Sequence, residues 1–160
     1  MAQVDYFLKL DGIPGESVDS KHKDEIDIMS FSFGETQTGT ASGGGAGAGK
    51  VQMQDFHFTM RTSTASPKLF LACANGEHIK DGILVGRRAG EKPLEFFKWK
   101  FIDCLISSYQ VGGSSGDAVP TDQIGLTFGK IEFSCTPQKA DGTAGAEEKA
   151  GWDVKANKKL

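Results

Sequence analysis

Ile124 to Cys135 reads IGLTFGKIEFSC, and its alternation changes phase part-way along. Ile124, Leu126 and Phe128 hold even positions, whereas Ile131, Phe133 and Cys135 hold odd ones. Successive side chains of a strand point to opposite faces, so an uninterrupted strand would send one of these sets into water. The phase changes at Gly129-Lys130. A β-bulge there keeps both halves facing the core, and glycine is the residue that tolerates it. Bulges of this kind curl a sheet towards closure. The stretch therefore predicts a mainly β domain: a closed or nearly closed β-barrel of two packed antiparallel sheets with one short flanking α-helix.

Working outward, short strands separated by turn signals fill most of the chain, a pattern of sandwiches and barrels. The first expected strand is Tyr6 to Leu10, and the next is Glu25 to Phe33. In the latter, alternation puts Met29, Phe31 and Phe33 on one face and Ser30 and Ser32 on the other. Val51 to Arg61 sets Phe56, Phe58 and Met60 against Asp55, His57 and Thr59. Ile79 to Arg88 and Leu94 to Asp103 follow, the second with Phe97, Trp99 and Phe101 on one side. It runs on into 103–111 almost without a break, as one long bent strand would. A last strand over 151–156 brings in Trp152 and Val154. Ser66-Pro67 reads as an N-cap followed by proline at the first helical position, and Asn75-Gly76 as the stop. That predicts a helix over 67–75.

Two stretches read as loops, 34–50 and 137–149. Gly34 to Lys50, GETQTGTASGGGAGAGK, has seven glycines among seventeen residues and no Ile, Leu, Val or aromatic residue. It cannot bury apolar surface, so a long, exposed, flexible loop is expected there.

The chain has 160 residues, enough for one domain with its own core. Its net charge is −3 with no long basic run, which argues against a nucleic-acid partner. No apolar run is long enough to span a bilayer, so no membrane insertion is expected. No signal-peptide pattern opens the chain. Three lysines near the end, Lys155, Lys158 and Lys159, read as a solvated tail. Cys73, Cys104 and Cys135 are widely spaced among apolar neighbours and read as buried free thiols.

The search for chemistry returns little. Gly44 to Lys50, GGAGAGK, matches the core of a phosphate-binding loop. Val51 follows, with no hydroxyl for Mg²⁺, and the motif leads into a strand rather than a helix N-terminus. His22, His57 and His78 lack partners at metal-ligand spacing. Cys73 and His78 straddle the helix end, where the helix dipole opposes a thiolate. Asp24, Glu25 and Asp27 read as solubilising charges at a strand entrance. No catalytic residue, metal ligand or cofactor site is assigned.

The order and spacing of several stretches carry a resemblance across essentially the whole chain. They are GESVDSKHKDEIDIMSFSFG (15–34), GGGAGAGKVQMQDFHFT (43–59), SPKLFLACANGEHI (66–79), ISSYQVGGSSGD (106–117), LTFGKIEFSCTPQKADG (126–142) and GWDVKANKK (151–159). In these the chain closely resembles the Hcp proteins of bacterial type VI secretion systems. It departs at Phe31, Phe33 and Cys135, where such proteins commonly carry other aromatic or aliphatic residues. No effector enzyme is expected to be fused after Leu160.

The resemblance implies a non-enzymatic subunit without cofactors. It is expected to form homohexameric rings that stack into a tube, to meet a VgrG spike, contractile sheath proteins and secreted effectors, and to be assembled in the bacterial cytoplasm and then secreted without a signal peptide. Two site expectations follow. Gly39, Ser42, Gly43, Gly44, Gly45, Gly47, Gly49 and Lys50 form a ring-stacking loop that orders on contact. Ordering at ~1–2 kcal/mol per residue keeps that stacking reversible. Ser30 and Ser32 face the lumen and touch cargo. The competing readings are a small barrel hydrolase and a monomeric barrel that binds carbohydrate or peptide. The second needs an aromatic platform, for which Trp99 and Trp152 are the candidates, and both read as core.

Overall fold

In the computed structural model, residues 3–39, 49–90 and 92–160 are described. The strands are β1 (Val4–Leu10), β2 (Ile26–Ile28), β3 (Ser30–Ser32), β4 (Glu35–Gln37), β5 (Val51–Met53), β6 (Phe56–Arg61), β7 (Ile79–Arg88), β8 (Leu94–Gly112), β9 (Thr121–Cys135), β10 (Glu148–Asp153) and β11 (Lys158–Lys159). The helix α1 spans Ser66–Asn75. Nine strands form one antiparallel sheet, and β4 and β5 form a separate two-stranded ribbon.

The phase change in β9 is real, but its geometry is not the expected bulge. Ile102 faces Lys130 and Cys104 faces Phe128, so the offset of β8 against β9 is unchanged across the site. Asp103, between the β8 partners, takes a left-handed backbone with φ 56°. Opposite it stands Gly129, where a Cβ would lie 3.3 Å from that of Asp103. Both strands change phase together: Phe101 and Ile131 are buried on one side of the step, and Cys104, Ile106 and Leu126 on the other. The register shift proper falls further on, between Ile106 and Ser108.

At the same step β9 changes its second neighbour. Residues 121–126 pair with β6, and residues 130–135 pair with β10. The main path of the sheet runs β11-β10-β9-β8-β7-β1-β2, while β3 and β6 branch from β9. Among the described residues no sheet closes into a barrel, which corrects the expected closure. β2 pairs with β1 and β3 pairs with β6, but these two short strands are joined through Met29 by the chain, not by a ladder. The Met29 amide donates to the Thr59 carbonyl at 2.8 Å.

Met29 itself is 51% exposed, against the expectation that it shares the face of Phe31 and Phe33. Ile26 and Ile28 point inward before it, and the phase shifts by one there. The core gathers Phe56, Phe58, Met60, Leu84, Phe101 and Leu126, each no more than 1% exposed. Phe56 is its hub, with ring centroids 5.1 Å from Phe58 and 4.8 Å from Phe101. Between β7 and β8, Gly86 faces Phe97, and the phenyl ring occupies the space a side chain would need.

The long strand β8 is unbroken from 94 to 112, as its sequence pattern allows. Several other boundaries differ from expectation. The base of the 34–50 loop is built into the β4–β5 ribbon, with Glu35 opposite Met53 and Gln37 opposite Val51. Lys158 and Lys159 pair with Asp153 and Trp152, so the basic tail is partly a strand. Of the cysteines only Cys104 is buried; Cys73 is half-buried and Cys135 exposed. Burial, then the charges of Asp81 and Asp103, push the Cys104 thiol up to about 12.

Ser66 does not cap α1. Ala65 holds that position without a side-chain bond, and Ser66 turns inward. Its hydroxyl donates to Asp122 Oδ2 at 2.5 Å. Thr62 donates to Asp122 Oδ1 at 2.7 Å and Tyr109 to Oδ2 at 3.1 Å. Asp122 is fully buried. Three hydroxyls therefore stand in for the water this carboxylate has lost, and they tie α1 to β8 and β9. Burial and the neighbouring Asp122 carboxylate raise the Tyr109 hydroxyl, which keeps it a donor. Asp122→Ala strands three hydroxyls, that of Ser66 buried and those of Thr62 and Tyr109 half-buried, and is expected to cost about 2 kcal/mol or more in urea unfolding; a loss under about 0.5 kcal/mol, the usual range of a surface substitution, would contradict this account.

Candidate functional site

The strands that supply the core with Phe31, Phe56, Phe58, Ile124 and Leu126 carry polar groups on their other face. Register places those groups in two cross-strand rows. Ser30 lies opposite Thr59, Thr59 opposite Gln123 and Gln123 opposite Gln110. Beside it, Ser32 lies opposite His57, His57 opposite Gly125 and Gly125 opposite Ser108. Ser30, Ser32, His57, Ser108, Gln110 and Gln123 are all exposed.

Two side-chain pairs of this face bond each other. Ser30 Oγ and Thr59 Oγ1 share a hydrogen bond of 2.5 Å. The Ser107 hydroxyl donates to Asp55 Oδ2 at 2.6 Å. Gly125 leaves room for the Ser107 and Ser108 hydroxyls, which a side chain there would meet. The result is a low surface of hydroxyls and amides, with His57 and Asp55 as its titratable members. It can exchange hydrogen bonds with many partners.

Both candidate cargo serines, Ser30 and Ser32, are thus brought onto one face. Of the expected stacking loop, Gly39, Gly49 and Lys50 are placed, and Ser42, Gly43, Gly44, Gly45 and Gly47 lie outside the described residues. Gly39 and Gly49 approach each other at the end of the ribbon, where Thr38 Oγ1 donates to the Lys50 carbonyl at 3.1 Å. Val51 opens β5, so no helix follows the glycine-rich GK motif.

A second feature stands at the other side of the ribbon. A cleft of about 720 Å³ lies between β4–β5 and the sheet at β8, β9 and β10, lined by Phe33, Gln37, Val51, Trp99, Phe133 and Trp152 among others. Trp99 and Phe133 stack at 4.0 Å with 1° between their planes. Phe133 is 41% exposed, and the buried Trp152 Nε1 has no hydrogen-bond partner. Trp99 and Trp152 are half-buried and pack against the core, as expected, while also lining the cleft; Phe133, expected to face the core, is exposed in it.

Among the described residues no group of three or more His, Cys, Asp or Glu side chains is placed to hold a metal ion. His78, just past the end of α1, pairs with Asp103 of β8 at 3.2 Å. His22, in contrast, sits between two carboxylates, Glu25 and Glu95. A search for metal-ligand spacing passes over it. The signal present in the sequence is the i,i+3 pair His22–Glu25, and Glu95 adds a partner that only the fold supplies.

The profile described as "Type VI secretion system effector, Hcp" matches residues 7–134. The chain belongs to the Hcp family of type VI secretion. It is 43% identical to protein hcp1 of Pseudomonas aeruginosa over 157 residues, which cover 96% of this chain and 97% of that one. The crystal structure of Hcp1 from Salmonella typhimurium superposes with a TM-score of 0.80 at 34% identity, covering all of both chains. A structure described as a type six secretion system protein gives 0.93 at 30% identity, covering 99% of this chain and all of the other. Hcp membership gives this chain a structural role in secretion and makes components of that system its general partner context. No helix among the described residues is long and apolar enough to cross a membrane.

Proposed function

We propose that six copies of this chain form a ring, that rings stack into the inner tube of a type VI secretion system, and that the tube is expelled on sheath contraction with small effectors inside. The supporting observation is the exposed polar face of β3, β6, β9 and β8, a continuous sheet surface of short hydroxyl and amide side chains backed by the aromatic core. A conduit that passes different cargoes needs a wall that hydrogen-bonds weakly and broadly, with no deep apolar pocket. On this reading the face lines the lumen, and Ser30 and Ser32 touch cargo. The VgrG spike, the sheath proteins and the effectors are the further partners, and secretion from the bacterial cytoplasm needs no signal peptide. A ring uses two different patches per subunit, which matches a chain whose sheet has open edges at β2 and β11.

The stretch 39–49 with Lys50 is proposed to contact the neighbouring ring. Its base is the two-stranded β4–β5 ribbon. The second reading is a monomeric protein that binds a carbohydrate or peptide. The cleft walled by stacked Trp99 and Phe133 favours it, with the unpaired Trp152 N–H as a donor for a ligand oxygen.

Light scattering on a sizing column separates the two: a ring gives about six times 17.1 kDa, and a species at 17.1 kDa overturns the ring in favour of the ligand-binding reading. Deletion of Gly39 to Gly49 is expected to leave ring mass unchanged and to shorten or abolish stacked tubes in electron micrographs; tubes of normal length would reject the stacking role. Ser32→Gln places a longer side chain on the polar face and is expected to weaken co-purification of cargo at least about tenfold, in line with a lost hydrogen bond and a steric block; unaltered retention would remove Ser32 from the cargo surface.

A further inference from the structure

Residues 11–25 join β1 to β2 with no helix or strand of their own beyond the isolated bridge of Leu10 to Ile13. Its backbone bonds mostly fold it on itself, the Gly15 and Ser17 amides donating to the Asp24 and Glu25 carbonyls, while the Asp11 amide donates to the Asp81 carbonyl of β7. Two side-chain clusters tie its middle to the rest of the domain. Arg87, on β7, donates Nη1 to Asp19 Oδ1 at 2.9 Å and Nη2 to Asp19 Oδ2 at 2.6 Å, with Asp5 at 3.5 Å. The Arg87 guanidinium, then the Lys21 amide, hold the Asp19 carboxyl well below the usual carboxylate range. This two-point pair stays charged through neutral pH and is lost only in strong acid.

The second cluster centres on His22, which is 6% exposed. Its Nδ1 lies 2.9 Å from Glu25 Oε2, and its Nε2 lies 2.8 Å from Glu95 Oε1. The ring stacks on Phe7 at 4.3 Å with 7° between planes, and the Arg87 guanidinium also lies over Phe7, at 4.9 Å. A neutral imidazole has one donor nitrogen and one acceptor nitrogen, whereas the imidazolium has two donors. Carboxylates on both nitrogens are satisfied together only by the imidazolium. A neutral ring turns a lone pair towards one of them.

The neighbouring charges favour the same state. Glu25 comes from the connection itself and Glu95 from the head of β8, where Lys98 Nζ lies 3.4 Å from its other oxygen. Asp5 of β1 and Asp19 gather round Arg87 of β7. Asp27 of β2 is raised by burial first, and then by Asp5 and Asp19. Lys21 and Lys23 flank His22 in the chain, but the two groups that touch its ring nitrogens are both carboxylates.

We propose that His22 is a proton-dependent latch: as the imidazolium it ties the β1–β2 connection to the head of β8, and loss of its proton frees that connection while Arg87 and Asp19 keep one anchor in place. The latch is closed while the ring holds both protons and opens when one is lost. The connection displays Val18, which is 95% exposed, so the latch controls where an apolar surface group is held. This inference stands apart from the ring reading, since it concerns one subunit.

The test is hydrogen exchange by mass spectrometry on the full chain, corrected for intrinsic rates, from about pH 5.5 to about pH 9, which brackets the ordinary imidazole range. Peptides covering 16–25 are expected to lose protection about tenfold or more across the range, as suits one charge-assisted hydrogen bond, with β6 unchanged. His22→Gln is expected to be flat in pH. A wild-type profile that is flat after correction, or a rise that survives in His22→Gln, overturns the latch. Should that variant fail to fold, Glu95→Gln carries the test: removing one carboxylate must move the transition to lower pH, and an unmoved transition overturns the proposal.

Discussion

Asp103 against Gly129 is the contact on which the rest of the sheet depends. Two long antiparallel strands can bury both ends of themselves only if they change phase together, because a shift in one alone breaks their ladder. The left-handed turn of Asp103 and the missing side chain of Gly129 allow that change with the offset preserved. Past this step β9 has a different second partner, and the two halves of the domain diverge. One half carries the polar face. The other carries the aromatic cleft and the ribbon.

The division explains how much of the fold was legible in the sequence. Element type came through, because Phe56, Phe58 and Met60, or Phe97, Trp99 and Phe101, alternate as only strands do. The phase change at Gly129 was visible too. Its partner at Asp103 was not, since an aspartate inside a strand pattern carries no mark of a left-handed backbone. Met29 failed for a similar reason: an apolar residue in an apolar run reads as core, and its exposure follows from a ladder that changes sides there. Closure was inferred from local curvature, whereas the actual path is set by which strand each half of β9 meets.

The polar face was half legible. Alternation assigned Ser30 and Ser32 to the side opposite Phe31, and the structure agrees. Their neighbours Gln110, Gln123 and Ser108 come from distant parts of the chain, so only register could place them. His22 shows the opposite limit. Its nearest partner is three residues away and readable, but its second, Glu95, arrives through the β7–β8 hairpin. Asp122 is a third instance: a lone aspartate beside a strand looks like a surface charge, yet three hydroxyls gathered from α1, its approach and β8 make it an interior anchor.

The junction at Met29 has a mechanical consequence. Everywhere else, neighbouring strands are zipped by runs of hydrogen bonds, and changing the angle between them means breaking several at once. Between β2 and β3 the two halves of the circuit are joined by covalent backbone, with one amide-to-carbonyl bond to Thr59 alongside. Bending stress applied to the domain therefore concentrates at a single residue, and the curvature of the sheet can adjust there at small cost. The subunit is stiff along its strands and compliant at one seam.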